Sequence, residues 1–179
     1  MIIKILLGVG VLVVGFGVVA ALQPSNFRYS RSAMIAAPAS VLFAQVNDLR
    51  AFQKWNPWAK MDPNARITYS GPASGVGASY AWTGNGQIGE GTMTIIEVVP
   101  DKLVRCTMDF RKPMKATHTA EFTFVPEGDS TGVTWSMSGT HPFLAKAMGF
   151  LIDCDKMVGK EFEKGLATLK TITEKPTIN

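Results

Sequence analysis

The chain has 179 residues, of which 46% are apolar and 18% charged, and a formal charge of +4. This leaves room for one domain plus an appendage, with enough apolar material for a core, and excludes an intrinsically disordered chain. The basic excess is modest and never gathers into a Lys/Arg run, so no nucleic-acid partner is expected.

From Ile5 to Leu22 no charged or strongly polar side chain interrupts the sequence. At about 1.5 Å rise per residue, a helix of this length covers the roughly 30 Å apolar core of a bilayer. Residues 1–24 are therefore expected to be a single transmembrane anchor and its linker. A secretory signal peptide is the rival reading, because Lys4 gives a positive start and Val19-Ala20-Ala21 fits a small-residue cleavage site. The apolar run, however, exceeds the usual signal core. Gly8 with Gly15, and Gly10 with Gly17, recur at heptad spacing, which admits another helix or reflects the tolerance of membrane helices for glycine. Lys4 lies at the membrane edge, whereas Arg28 and Arg31 belong to the next strand, and this favours an extracytoplasmic domain.

Gln23-Pro24-Ser25-Asn26 is a short polar linker at the boundary, and the folded domain is expected over residues 25–175, with 176–179 a tail. Phe27 to Ile35 reads as a strand. Pro38 then suits the first position of a helix running through Leu49, and a brief second helix holds Phe52 and Trp55 before Pro57. Strands are expected at Arg66–Ser70, Ala78–Thr83, Gly91–Val99, Leu103–Phe110, Ala116–Val125 and Gly132–Gly139. One long helix should follow Pro142 to about Thr171, with Leu144, Met148, Leu151, Asp155, Val158, Phe162, Gly165 and Leu169 on a single stripe. Gly165 costs about 1 kcal/mol of helix propensity against Ala, which implies a packing reason for it.

Alternation in the strands places Tyr80 with Trp82; Val104, Cys106, Met108 and Phe110; Ala116, His118, Ala120, Phe122 and Phe124; and Val133, Trp135 and Met137 on one apolar face. The opposite positions are polar, as in a sheet with one wet side. Gly91–Val99 is apolar on both faces and has no clear orientation. Cys106 and Cys154 lack metal-ligand spacing, so they read as buried free thiols, or as one bridge in an oxidising compartment.

The element order resembles the START/Bet v1-like superfamily, also called SRPBCC. Ile35-Ala36-Ala37-Pro38 leading to Val41, Phe43, Val46, Asp48 and Leu49, then Trp55-Asn56-Pro57-Trp58, is similar to the opening of its polyketide cyclase/dehydrase-like branch. Gly89-Glu90-Gly91 and Phe162-Glu163-Lys164-Gly165-Leu166 with Leu169-Lys170 agree. The resemblance spans Phe27 to Thr173 and implies an α+β helix-grip fold, a curved antiparallel sheet wrapped around a long C-terminal helix, with the transmembrane helix in front. It further implies a cavity between sheet and helix for a hydrophobic small molecule or lipid, the membrane being a second partner through Ile5–Leu22.

The candidate lining is Trp82, Met93, Met108, Phe110, Phe122, Trp135, Met137, Met148 and Leu151, with Tyr80 beside them and Trp55 and Trp58 at the entrance; plain core packing is the alternative for each. His118 and Asp155 are polar groups expected on the apolar side, where each needs a partner, and they are the candidates for orienting a ligand or for acid/base work. Glu90 and Glu97 fit solvated strand ends or edges. No nucleophile elbow, HExxH, phosphate loop or dinucleotide fingerprint occurs, and Gly71 to Gly77 precedes a strand rather than a helix. Neither metal nor cofactor is expected, and a cyclase or dehydratase using the same cavity stands as the alternative to a binding protein.

Overall fold

The computed structural model describes Gly15, Gly17, residues 24–140 and residues 153–174. Apart from Gly15 and Gly17, which are helical, the expected anchor Ile5–Leu22 lies outside the described residues. Among the described residues no helix is long and apolar enough to cross a membrane.

The order is β1 (Asn26–Ile35), α1 (Ala39–Asn47), α2 (Leu49–Trp55), a 3₁₀ turn (Pro57–Lys60), then β2 (Arg66–Ser70), β3 (Ser79–Thr83), β4 (Glu90–Val99), β5 (Leu103–Lys112), β6 (Ala116–Glu127), β7 (Ser130–Thr140) and α3 (Cys154–Thr173). Seven strands form one antiparallel sheet in the order β1-β7-β6-β5-β4-β3-β2, so the first strand closes one edge beside the last. Side chains meet the orphan N–H groups at the starts of α2, the 3₁₀ turn and α3, whereas α1 starts without a side-chain cap. Pro38 stands just outside α1 in extended conformation rather than inside its first turn. Asp48 ends α1 and accepts from the backbone of Arg50 and Ala51 to begin α2. Asn56 does the same for the turn at Trp58.

The expected alternation holds in β5, β6 and β7, whose concave face carries Val104, Cys106, Ala120, Phe122, Phe124, Val133 and Trp135, all buried. In β4 the register slips between Ile95 and Glu97, leaving Ile96 as the extra residue opposite Cys106 and Arg105. The bulge inverts the alternation, so that Met93 and Ile95 face inward before it and Val98 after it. A period-two reading fails on this strand for that reason.

The expectation of one helix from Pro142 is corrected by Asp153. It is non-helical, with φ −77° and ψ 88°, and caps α3 by accepting from the Lys156 N–H. From Val158 onward the stripe is as expected, with Phe162, Gly165, Leu166 and Leu169 buried. Phe162 stacks on Trp135 with centroids 4.3 Å apart and planes 16° apart. Gly165 lets the helix come this close, because a Cβ there would stand 2.7 Å from the Trp135 ring.

At the start of α3 the contact is polar. Arg31 of β1 lies over Gly159, where a Cβ would collide with its guanidinium. Its Nη1 and Nη2 meet the Asp155 carboxylate at 3.1 and 3.3 Å, and its Nε meets Glu163 at 3.0 Å. Asp155, Gly159 and Glu163 repeat every fourth residue and so share one helix face.

The two glycines should respond differently to alanine. Gly159→Ala displaces only the end of a flexible, part-exposed side chain, and the helix-propensity gain of about 1 kcal/mol offsets the lost ion pairs. Gly165→Ala drives a methyl into a buried indole held by Phe162, where overpacking costs about 1–3 kcal/mol and outweighs that gain. Urea denaturation should find Gly159→Ala near neutral and Gly165→Ala less stable; equal stabilities would contradict the close packing of α3 on Trp135.

Candidate functional site

The concave face alternates bulk with small residues, and the space is left over the small ones. Ala120 lies between Cys106 on β5 and Met137 on β7. Gly91 lets the Trp82 ring lie across β4, since a Cβ there would stand 2.5 Å from that ring. Trp82 is held in place by its Nε1–H donating to the Ile88 carbonyl at 3.0 Å. α3 reaches only part of this face through Val158 and Phe162, and a cavity of about 330 Å³ results. That volume falls within the roughly 300–1,000 Å³ common for small-molecule sites.

Side chains from nearly every element line it: Phe52, Gln53, Asn56 and Trp58; Ile67; Tyr80 and Trp82; Met93; Met108 and Phe110; Ala120 and Phe122; Trp135 and Met137; Val158 and Phe162. Ala59, Asp62, Pro63, Ala65, Gln87, Ile88, Lys112 and Pro113 complete the wall. Pro63, Gln87, Lys112 and Pro113 are exposed, so this rim is where the cavity reaches solvent.

Trp58, Tyr80, Trp82, Met93, Met108, Phe110, Phe122, Trp135 and Met137 of the expected set therefore come together around one space. Met148 and Leu151 lie outside the described residues. Trp55 does not line the cavity; it is fully buried behind it, donating from Nε1 to the Gln45 carbonyl at 3.1 Å and packing edge-on against Trp135. His118 is on the expected face of β6 but packs beside the wall, edge-on to Phe27 at 4.9 Å and tilted against Phe110 at 5.3 Å. Asp155 is a correction: it is exposed and held by Arg31 at the start of α3 rather than buried in the cavity. The stripe carried it inward only because periodicity was extended through Asp153, where the helix begins. Glu90 and Glu97 pair with Arg111 and Arg105. The hydrogen bond from Arg111 holds the Glu90 carboxyl below its ordinary range.

Sequence reasoning passed over Gln53, Asn56 and Ile67. Ile67 is legible from its alternation with Tyr69 in an edge strand. Gln53 is harder, being a polar residue flanking the apolar stripe of a helix only two turns long.

Cys106 and Cys154 are both free thiols, Cys106 buried and Cys154 half-buried. Burial pushes the Cys106 thiol up to about 12, which keeps it protonated and unreactive near neutral pH. Iodoacetamide at neutral pH should leave Cys106 unmodified in the native protein and modify it after unfolding, as read by peptide mass mapping. Native labelling of Cys106 at the rate of an exposed thiol would contradict its buried place on the concave face of β5.

A family model described as polyketide cyclase/dehydrase and lipid transport matches residues 26–174. Among solved structures, protein CV1439 from Chromobacterium violaceum superimposes with a TM-score of 0.59 at 16% identity, covering 86% of this chain and 99% of that one. The Aha1 dimer from Colwellia psychrerythraea gives 0.60 at 18%, covering 84% and 98%. CalU16 from Micromonospora echinospora gives 0.54 at 15%, covering 86% and 88%. No curated protein matches the chain. At these identities the likeness to solved structures is one of fold alone, and the seven-stranded antiparallel sheet with its C-terminal helix fits a helix-grip arrangement.

Proposed function

The chain belongs to the polyketide cyclase/dehydrase and lipid transport family, and we propose that it is a membrane-tethered binding protein for a hydrophobic small molecule or lipid. The observation that carries this reading is the cavity of about 330 Å³ walled by Trp82, Met93, Met108, Phe110, Phe122 and Met137, with its rim in solvent. Burying an apolar ligand there gains about 25 cal/mol per Å² of apolar surface removed from water. The methionines adapt to ligands of varied shape. The uninterrupted apolar run Ile5–Leu22 supports the tether, and with it a lipid drawn from the membrane as the ligand. Lys4 at the membrane edge supports a domain on the extracytoplasmic side.

A cyclase or dehydratase acting on a polyketide-like substrate is the second reading, favoured by the family description. It needs an acid/base pair facing the substrate. Asp155 is engaged by Arg31 outside the cavity and His118 packs beside its wall, which weighs for binding over turnover.

Native mass spectrometry of the gently extracted full chain should find a co-purifying apolar molecule, and Ala120→Phe, which fills the cavity floor, should lose it. An empty protein that shifts no apolar fluorescent probe would sink the binding reading. Alkaline carbonate should fail to release the protein from membranes. A mature chain starting at Leu22 would remove the tether, and an impermeant thiol label on Ser25→Cys, with both native cysteines changed to Ala, should react in intact cells.

A further inference from the structure

One wall of the cavity is not apolar, and the backbone fixes its polarity. Asn56 Oδ1 accepts from the Trp58 backbone N–H at 3.2 Å, so its Nδ2 is the end that faces Gln53. That Nδ2 donates to Gln53 Oε1 at 3.5 Å. The other end of the Gln53 amide, Nε2, is therefore a donor, and it is buried without a hydrogen-bond partner. Gln53 lines the cavity, and its amide makes a long, weak contact to the Tyr80 hydroxyl that partly counters the effect of burial there but leaves Nε2 short of a full hydrogen bond. Burial pushes the Tyr80 hydroxyl far above its ordinary range, so it keeps its proton and is available as a second donor. A buried donor left unmet carries its full desolvation cost, and a ligand oxygen removes that cost.

Resting on the cavity reading above, we infer that Gln53 Nε2 and the Tyr80 hydroxyl together receive an uncharged carbonyl oxygen of the ligand, a ketone, ester or amide, whose apolar remainder runs along Met108, Trp82 and Phe110 toward the rim. The register sets the direction. Tyr80 pairs with Met93 and Met93 with Met108, whereas Trp82, Gly91 and Phe110 lie one step nearer Lys112. The carbonyl is thus the deep end. A carboxylate is disfavoured because, among the described lining residues, the cation is Lys112 at the exposed rim. A buried anion against two neutral donors would lack a countercharge.

The test compares decane, the methyl ketone of the same chain length and decanoate as displacers of an apolar fluorescent probe from the full-length protein in detergent. Micelle partition cancels in the ratio of wild type to variant for each ligand. Gln53→Leu should weaken the ketone roughly tenfold, the loss of about one hydrogen bond, while decane is unchanged. Tyr80→Phe should weaken the ketone in the same direction, and it gives the same reading if Gln53→Leu does not fold. If wild type and both variants bind decane and ketone with the same ratio, the polar anchor is wrong while the cavity reading survives. Decanoate bound as tightly as the ketone, and weakened by the same factor, would overturn the uncharged class. If neither decane nor ketone binds the wild type, the cavity reading itself fails and this inference with it.

Discussion

Phe162 lies flat on Trp135, and the distance between those two rings sets how far α3 stands from the sheet. Trp135 in turn meets Trp55 at 5.5 Å, Trp58 at 5.7 Å and Phe122 at 4.9 Å, so the same ring joins α3, α2, the 3₁₀ turn and the floor of the sheet. Aromatic rings bury much area in few rotamers, and their edge-to-face contacts add to that burial. The closed end of the molecule is this cluster. Wherever the cluster stops, a single helix cannot cover a curved seven-stranded sheet, and the uncovered part becomes the cavity.

Two devices keep that space from collapsing. Small residues, Ala120 and Gly91, occupy concave positions where a larger one would fill it, and Trp82 is pinned across Gly91 by the Ile88 carbonyl. Outside, the sheet is held by charge. Glu121 on β6 receives Arg105 from β5 at 2.7 Å and Arg28 from β1 at 3.1 Å, and Glu97 on β4 also pairs with Arg105. Arg28 spans β7 because Ser136 and Ser138 stand between them with short side chains. The wet face needs no apolar closure, so the concave face is free to be shaped for something other than packing.

Much of this could be read from the sequence, because the strongest signals are periodic. β5, β6 and β7 alternate without interruption, and parity alone identifies their inward residues. Gly165 was legible as a packing glycine because it breaks helix propensity on a buried stripe. The failures have local causes. Ile96 adds one residue to β4, and a bulge is invisible to a pattern that presumes constant register. Asp155 has the right phase for the stripe, but it belongs to the first turn of α3, where Arg31 of β1 draws it outward. The Asp155, Gly159 and Glu163 spacing was present in the sequence; its meaning required knowing that β1 runs beside α3. Trp55 is readable either as an entrance residue or as core, and the α2 turn decides for the core, where its Nε1–H meets the Gln45 carbonyl.

Gln53 was beyond the reach of pattern for a different reason. Its role does not come from its own position but from a relay of orientation that begins at the backbone. The 3₁₀ turn requires a cap, Asn56 supplies it with Oδ1, and that choice forces the Asn56 amide nitrogen toward Gln53. The side-chain amide of Gln53 has one acceptor and one donor end, and once the acceptor is held by Asn56 the donor is turned toward Tyr80 at the cavity wall. A sequence motif that looks like a helix stop, Trp55-Asn56-Pro57-Trp58, thus determines the polarity of a binding wall. Substituting Asn56 by a residue that caps with an oxygen but has no amide, such as Asp or Ser, would keep the turn and release the Gln53 amide to rotate. The fold would then lose nothing that the sheet or the aromatic cluster supplies, while the wall would lose its fixed direction, which separates the structural duty of this segment from its part in recognition.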